Sequence, residues 1–434
     1  MQTADRKIEA LQGAVTQAAD YRARRRRLLN QLPEGSRVVL TSGPLQSRNY
    51  PANFHPFRAC SHFLYFFGWN TPDLWASFDE AGATLYYDSP DEETIVWDGP
   101  GPDLDWIRSS FGFDRIEAVK SRTNNEDDLL FGAARSVKEL PAYLTKAVIE
   151  TRLYHDAAAI AQLRWAAALS SEAHRAAAAQ VAVGKSEYEI LSVLLQVTAA
   201  AGGSPSFQPI VTTRGETLHT HDYSRRLQAN DLLLVDFGAE TPEGWAGDLT
   251  RVHPASGSMS STQADLYSAV DRAKLAAIAE CRAGVEYRAV HRTACVSLAQ
   301  SLVDLQILKG DALELVERGA HCLFFPHGVG HLLGLDVHDM EDFGDLAGYA
   351  EGRARNPRFG DSFLRLDRRL EVGMAVTIEP GFYNIPALLN NPERTGPFSD
   401  CLDLQRLGAF QDVRGIRLEE DVLITDEGPE VLSY

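Results

Sequence analysis

The 434-residue chain is poor in cysteine, has no long apolar run and carries no excess of positive charge, and each absence removes a class of function. Its five cysteines, Cys60, Cys281, Cys295, Cys322 and Cys401, are odd in number, scattered and without C-x-x-C spacing. That pattern argues against a disulfide framework and against a zinc–thiolate site, and makes a reducing cytoplasm the expected setting. The opening residues, MQTADRKIEALQGA, lack the apolar segment of a secretory signal. No stretch approaches the roughly 20 apolar residues that span a bilayer, so no membrane partner is expected. With 42 basic against 60 acidic residues, the net charge is −18, which disfavours nucleic acid as a partner and suits a cation. The one basic run, Arg22 to Arg27, falls in an expected amphipathic helix, where a solvated face is the plain reading.

What is present is enough for a folded core in two or three domains, with 44 % apolar residues. Residues 1–150 read as mixed α/β. After a helical start and the turn LPEGS, strands are expected in RVVLTSG and SHFLYFFGWN, a hairpin in WASFD and ATLYYD, and further strands in DEETIVWDG and DRIEAVK. Residues 151–434 have a different texture. A helix rich in alanine ends near Gly184 and a second stops at Gly202 and Gly203. Strands follow in FQPIVTT, DLLLVDFGAE and GWAGDLTRVHP, then helices over 262–283 and 287–308, then more strands. The boundary is expected at about 145–155, and the second region has a two-fold rhythm of two helices followed by strands.

Acids recur at the ends of apolar strands. Asp236 closes DLLLVD, and Asp248 returns after a turn at Pro242 to Gly244. Two carboxylates that close need a cation between them, or one must keep its proton; otherwise they are simply solvated turn acids. Glu379 ends MAVTIE, just before Pro380 and Gly381. In RGIRLEEDVLITDEG, alternation puts Arg417 and Glu419 on one face and Glu420 on the other. His327, His331 and His338 lie in FFPHGVGHLLGLDVHD, the first two flanked by glycine. Four carboxylates and a histidine can hold two divalent ions. So oxygen-rich a set suits Mn²⁺ or Co²⁺, with Zn²⁺ possible, and paired ions generate a hydrolytic nucleophile at neutral pH.

Together these segments resemble the M24 "pita-bread" metallopeptidases, in the Xaa-Pro branch of aminopeptidase P and prolidase. The likeness runs over nearly the whole chain, through YPANFHPFRACSHFLYFFGWNTPD, LLLVDFGAE, AGDLTRVHP, HGVGHLLGLDVHD, VTIEPGFY and GIRLEEDVLIT. It implies an α/β (α+β) protein with an N-terminal accessory domain over 1–150. A C-terminal pita-bread (creatinase/aminopeptidase) domain with pseudo-two-fold symmetry would follow over 151–434. It implies that Asp236 binds one metal, that Asp248 and Glu419 bridge two, and that His331 and Glu379 complete the set. Arg417 and Thr250 would orient these carboxylates. Glu379 would take the proton of the attacking hydroxide, and His338 would help stabilise the tetrahedral intermediate. His327 and His338 would be the family's substrate-binding and proton-shuttling histidines, and His219, also a catalytic candidate, would line the substrate pocket with Tyr383. In ETLHTHDY the family's usual tyrosine after the histidine is replaced by Thr220, and His221 is an alternative to His219.

The implied activity is hydrolysis of the bond before proline in a peptide, by a cytoplasmic homodimer or homotetramer. Aminopeptidase P is the first reading and prolidase the second, because the segment from Glu379 to Glu419 is long and Arg394 stands where a prolidase binds the substrate's free carboxylate. A non-catalytic or metal-free relative would lack one or more of the five ligands, and methionine aminopeptidase would lack the N-terminal domain.

Overall fold

The computed structural model describes residues 15–433 apart from 124, 126 and 134–138, so the polar opening of the chain lies outside the described residues. The chain divides into two compact units, one ending at Gln162 and the other running from Leu163. Each is described by itself.

The first unit begins with helix α1 (Ala18–Leu29) and carries a five-stranded sheet of β1 (Val38–Thr41), β2 (Trp75–Asp79), β3 (Gly82–Tyr86), β4 (Arg115–Glu117) and β5 (Leu129–Gly132). Its order is β4-β3-β2-β1-β5, antiparallel through β1, β2 and β3 and parallel at both edges. The β2–β3 hairpin falls where the alternation places it. Two expected strands are helices instead. SHFLYFF forms α2 (Ser61–Phe67), ended by Gly68 at φ 72°. Phe63, Phe66 and Phe67 are all fully buried, and a continuous aromatic run leaves no alternation from which to separate a buried strand from a buried helix. DEETIVWDG forms α3 (Glu92–Asp98), because Asp91 caps it by accepting from the Thr94 N–H.

The basic run also departs from expectation. Arg24 and Arg25 of α1 are buried, at 1 % and 4 % exposure, on the same stripe as Tyr21 and Leu28. Their guanidinium groups serve carbonyls at helix C-termini. Arg24 donates to Tyr65 O, and Arg25 donates to Phe66 O at 2.7 Å and to Gly112 O, just past helix α4 (Leu104–Phe111). Arg24 also forms a two-bond pair with Asp156 at 2.7 and 2.9 Å. Long apolar stems let arginine occupy core positions when its head finds acceptors.

The second unit repeats one plan. Helices α5 (Ala157–Ala178) and α6 (Glu187–Ala200) precede an antiparallel sheet of β6 (Ile210–Thr212), β7 (Leu232–Asp236) and β8 (Thr250–Pro254). Helices α7 (Ser261–Glu280) and α8 (Tyr287–Asp304) precede β9 (Ala375–Ile378), β10 (Gly381–Tyr383), β11 (Gly415–Arg417), β12 (Glu420–Thr425) and β13 (Gly428–Val431). Here β9, β12 and β13 form one antiparallel sheet, and β10 pairs with β11. The repeat extends to individual hydrogen bonds. Gly184 N–H donates to Leu227 O just before α6, and Gly284 N–H donates to Leu370 O just before α8. Asp236 and Glu379 lie equally far along the chain from Leu227 and Leu370. The two-fold rhythm of the sequence is thus a structural duplication, and the two acids are counterparts. Leu169, Ile190 and Leu194 pack against Val211, Leu233 and Val235, so one apolar core holds β7 and the acid at its end.

Candidate metal centre

The strands that carry the acids converge. Asp236 is the last residue of β7 and pairs in register with Thr250, the first of β8. Asp248 lies just ahead of β8, and its N–H donates to Asp421 Oδ2 at 3.1 Å. Glu419 sits in the short break between β11 and β12, with its N–H donating to Thr250 O. Glu379 follows β9 directly and donates its N–H to Val329 O. Gly330 makes the approach of the histidine loop possible: a Cβ there would lie 2.1 Å from Thr377 O. His331 is thereby held against β9.

Ligand atoms of Asp248, His331 and Glu419 all lie within 4.8 Å of one another. His331 Nε2 is 3.4 Å from Asp248 Oδ2 and 3.8 Å from Glu379 Oε1. The His331 Nδ1 atom is 3.0 Å from Leu332 O, which makes Nδ1 the donor and leaves the Nε2 lone pair facing the acids. Thr250 Oγ1 donates to Glu419 Oε2 at 2.7 Å. Arg417 binds three partners at once: Asp236 Oδ2 at 2.5 Å, Tyr383 Oη at 2.9 Å and Thr250 Oγ1 at 3.3 Å.

One arginine cannot balance these charges. Asp236, Asp248, Glu419 and Asp421 are all buried, and Asp248 Oδ1 and Asp421 Oδ1 have no hydrogen-bond partner among the described residues. Burial, with Asp236, Asp421 and Glu379 nearby, pushes the Asp248 carboxyl well above the usual carboxylate range. Burial and then Asp248, Glu379 and Asp236 do the same to Glu419. Glu379 is raised by burial against the pull of His331 and Arg417. Buried carboxylates this close hold their charge only beside cations. An orphaned carboxylate oxygen, a neutral imidazole nitrogen and several convergent oxygens are what a divalent ion requires, so the donor set fits divalent metals.

The cluster lies in a cavity of about 700 Å³ whose wall includes Phe207, Leu218, Phe359, Phe363, Ile385 and Leu388. His219, His221, His327 and His338 line the same cavity.

A family model described as metallopeptidase family M24 matches residues 161–426. The chain belongs to metallopeptidase family M24. A second model, the N-terminal domain of aminopeptidase P, matches residues 21–139 of this M24 chain. Among curated proteins, it is 29 % identical over 401 residues to a probable Xaa-Pro aminopeptidase of Verticillium alfalfae, covering 87 % of this chain and 85 % of that one. It is also 29 % identical over 431 residues to the human Xaa-Pro dipeptidase, covering 92 % and 86 %. Among solved structures, zinc-substituted Escherichia coli aminopeptidase P in complex with product aligns at a TM-score of 0.77 with 26 % identity, covering 96 % and 95 %. The chain is accordingly a hydrolase of the metallopeptidase class, with the two-part fold that the sequence implied.

Within this M24 unit the five expected ligands and Arg417 and Thr250 come together. The other expected residues divide. His338 lines the cavity with its ring centroid 4.0 Å from that of His331, and Nδ1 is 3.1 Å from Glu341 Oε2. Both ring nitrogens of His327 are engaged, Nδ1 with Gly328 O and Nε2 with Tyr383 Oη, each at 2.8 Å. Tyr383 is fully buried, so it stands behind the cavity wall as a relay from Arg417 to His327. Arg394 is exposed, and its guanidinium lies 4.1 Å from the centre of the Phe359 ring, itself a wall residue. Three contributors went unread. Asp421 shares the face of Glu419 two residues on, a signal that was available. Glu341 bonds both His338 and Arg365, and nothing in the sequence neighbourhood of Glu341 and Arg365 marks them. Burial opposes ionisation of Glu341, yet His338 and Arg365 hold it down to about 2.

Proposed function

We propose that this chain is a Xaa-Pro aminopeptidase, which releases the N-terminal residue of peptides whose second residue is proline. The observation that carries the reading is the carboxylate cluster opening into a cavity with apolar walls and histidines. The names of the fungal, human and bacterial relatives, all proline-directed peptidases, support the choice of bond. Proline's nitrogen in that bond bears no N–H, so a site for it needs apolar surface around the ring rather than an acceptor.

Two divalent ions, held by Asp236, Asp248, His331, Glu379 and Glu419, would supply the hydrolytic nucleophile and polarise the scissile carbonyl. Mn²⁺ suits the oxygen-rich set best, with Co²⁺ and Zn²⁺ as alternatives. Among three of the acids, Glu379 has the most open side chain, at 18 % against 11 % for Asp236 and 7 % for Asp248. Glu379 is therefore the group that takes a proton at its carboxylate oxygen and returns it to the leaving proline nitrogen. Burial keeps His338 neutral, with its pKa lowered to about 4. Ionised Glu341 fixes the proton on Nδ1, so Nε2 accepts rather than donates, which suits the substrate's amino terminus better than an oxyanion. Arg417 holds Asp236 and, through Tyr383, His327.

The dipeptidase reading rests on the long segment between Glu379 and Glu419 and on Arg394, which packs on a wall ring and could capture a free carboxylate. Five unpaired cysteines suit a reducing compartment such as the cytoplasm, and no described helix is long and apolar enough to cross a membrane. A homodimer or tetramer belongs to the same reading. The direct test is reconstitution. Metal-stripped protein should not hydrolyse Ala-Pro-Ala-Ala, and Mn²⁺ should restore hydrolysis. Hydrolysis unaffected by stripping, or absent with Mn²⁺, Co²⁺ and Zn²⁺ alike, would contradict it.

A further inference from the structure

Away from the carboxylate cluster, the second unit gathers another set of ligand-type side chains. His291 and Cys295 stand one turn apart on α8, with Cys295 Sγ 3.5 Å from His291 Nε2. His321 and Cys322 follow on the 3-10 turn Ala320–Leu323, with Cys322 Sγ 3.4 Å from His321 Nε2. Ligand atoms of His291, Cys295 and His321 all lie within 4.8 Å of one another, as do those of His321, Cys322 and Asp361. All four histidines and cysteines are buried, with exposures of 9 %, 1 %, 1 % and 5 % in chain order. Among the described residues His321 Nδ1 has no hydrogen-bond partner, and the ring's one partner is the Cys322 sulfur at Nε2. A buried polar ring satisfied so poorly calls for a ligand.

We propose that His291, Cys295 and His321 form a three-donor binding site for a thiophilic divalent cation of the zinc class, distinct from the carboxylate centre. Zinc lies about 2.0–2.1 Å from imidazole nitrogen and about 2.3 Å from sulfur, which in a tetrahedron sets neighbouring donors roughly 3.3–3.8 Å apart. The His291–Cys295 nitrogen–sulfur distance, 3.5 Å, already falls in that range. Two imidazoles and a thiol make a softer set than the carboxylate centre, which contains no sulfur, and they leave a fourth position for water. His291, Cys295 and His321 line a cavity of about 340 Å³, which gives an ion access. Three arginines line it too, but each is matched by a carboxylate: Arg288 by Asp367, Arg292 by Glu317 and Arg358 by Asp361. Asp361 is therefore committed to Arg358 and is not counted as a ligand. Binding an ion would displace the thiol proton of Cys295. No C-x-x-C spacing marks the set, because tertiary packing brings α8 to the 3-10 turn.

The test uses the full-length protein, stripped by chelation and titrated with Co²⁺ alone. A near-ultraviolet thiolate-to-cobalt charge-transfer band is expected, since the oxygen- and nitrogen-lined catalytic centre cannot produce one. The band should be lost in Cys295→Ser and kept in Cys322→Ser, with peptide hydrolysis retained in both. If Cys295→Ser does not fold, the wild type decides. Zn²⁺ should slow alkylation of Cys295, mapped by mass spectrometry, and leave Cys60, Cys281 and Cys401 unchanged. Cobalt loading without a thiolate band, a band that survives Cys295→Ser, or Cys295 alkylation indifferent to Zn²⁺ overturns the assignment.

Discussion

A single side chain shows how the centre is balanced. Asp248 is buried, one of its oxygens has no hydrogen-bond partner among the described residues, and the other faces His331 Nε2. Replacing it removes a ligand and leaves the surrounding acids in place, so Asp248→Ala should lose both metal loading and hydrolysis. Metal analysis alongside peptide assay checks this, and a variant with full activity would refute the two-metal reading. Tyr383 permits a finer test. Its hydroxyl accepts from Arg417 and meets His327 Nε2. Tyr383→Phe should lower kcat/KM roughly ten-fold, about the size of one hydrogen bond to a charged group, while metal content stays unchanged. An equal fall in metal content would place Tyr383 in support of the ligands instead.

At the scale of elements, the centre depends on where short strands begin and stop. Gly415 opens β11, and a Cβ there would lie 2.3 Å from the backbone of Gly215. Gly415→Ala must push β11 away from that loop, and Arg417 and Glu419 move with it. A loss of about 1–3 kcal/mol is expected, together with weaker metal binding, measured by thermal unfolding and metal titration. In the accessory unit, the Arg24–Asp156 pair sets an acid limit. Burial opposes ionisation of Asp156, but Arg24 holds its pKa down to about 2 from the ordinary 3.8. A lowered carboxylate pKa stabilises the fold above the ordinary value, and that contribution disappears as pH falls towards 2. Asp156→Asn keeps the cap on Ala159 N–H and should cost on the order of 2 kcal/mol at neutral pH. The difference from wild type should shrink between about pH 4 and pH 2 in unfolding experiments. These elements also mark what sequence could and could not reveal. Apolar runs ending in acids made β7, β9 and their carboxylates legible, because a short continuous apolar run closed by a charge is a local signal. The aromatic run of α2 carried no period, and the buried faces of Arg24 and Arg25 depend on helix C-termini far along the chain. Nothing local encodes such partners, which is also why Glu341, Arg365 and the cysteine–histidine cluster escaped notice.

At the scale of the whole molecule, duplication accounts for the economy of the design. Two copies of a helix-pair-and-sheet plan place Asp236 and Glu379 as counterparts, and the sheets supply Asp248 and Glu419 between them. A chain of net charge −18 concentrates acids where cations bind. The cavity beside that centre then decides which peptides are accepted. Product analysis by mass spectrometry tests this most directly: stripped protein is reloaded with Mn²⁺ and offered Ala-Pro, Ala-Pro-Ala-Ala and Ala-Ala-Ala. The expected result is release of the first alanine from Ala-Pro-Ala-Ala, with Ala-Ala-Ala left intact. Cleavage of Ala-Pro alone would make Arg394 a carboxylate clamp and the enzyme a dipeptidase, and cleavage of Ala-Ala-Ala at a comparable rate would contradict the proline-directed account altogether.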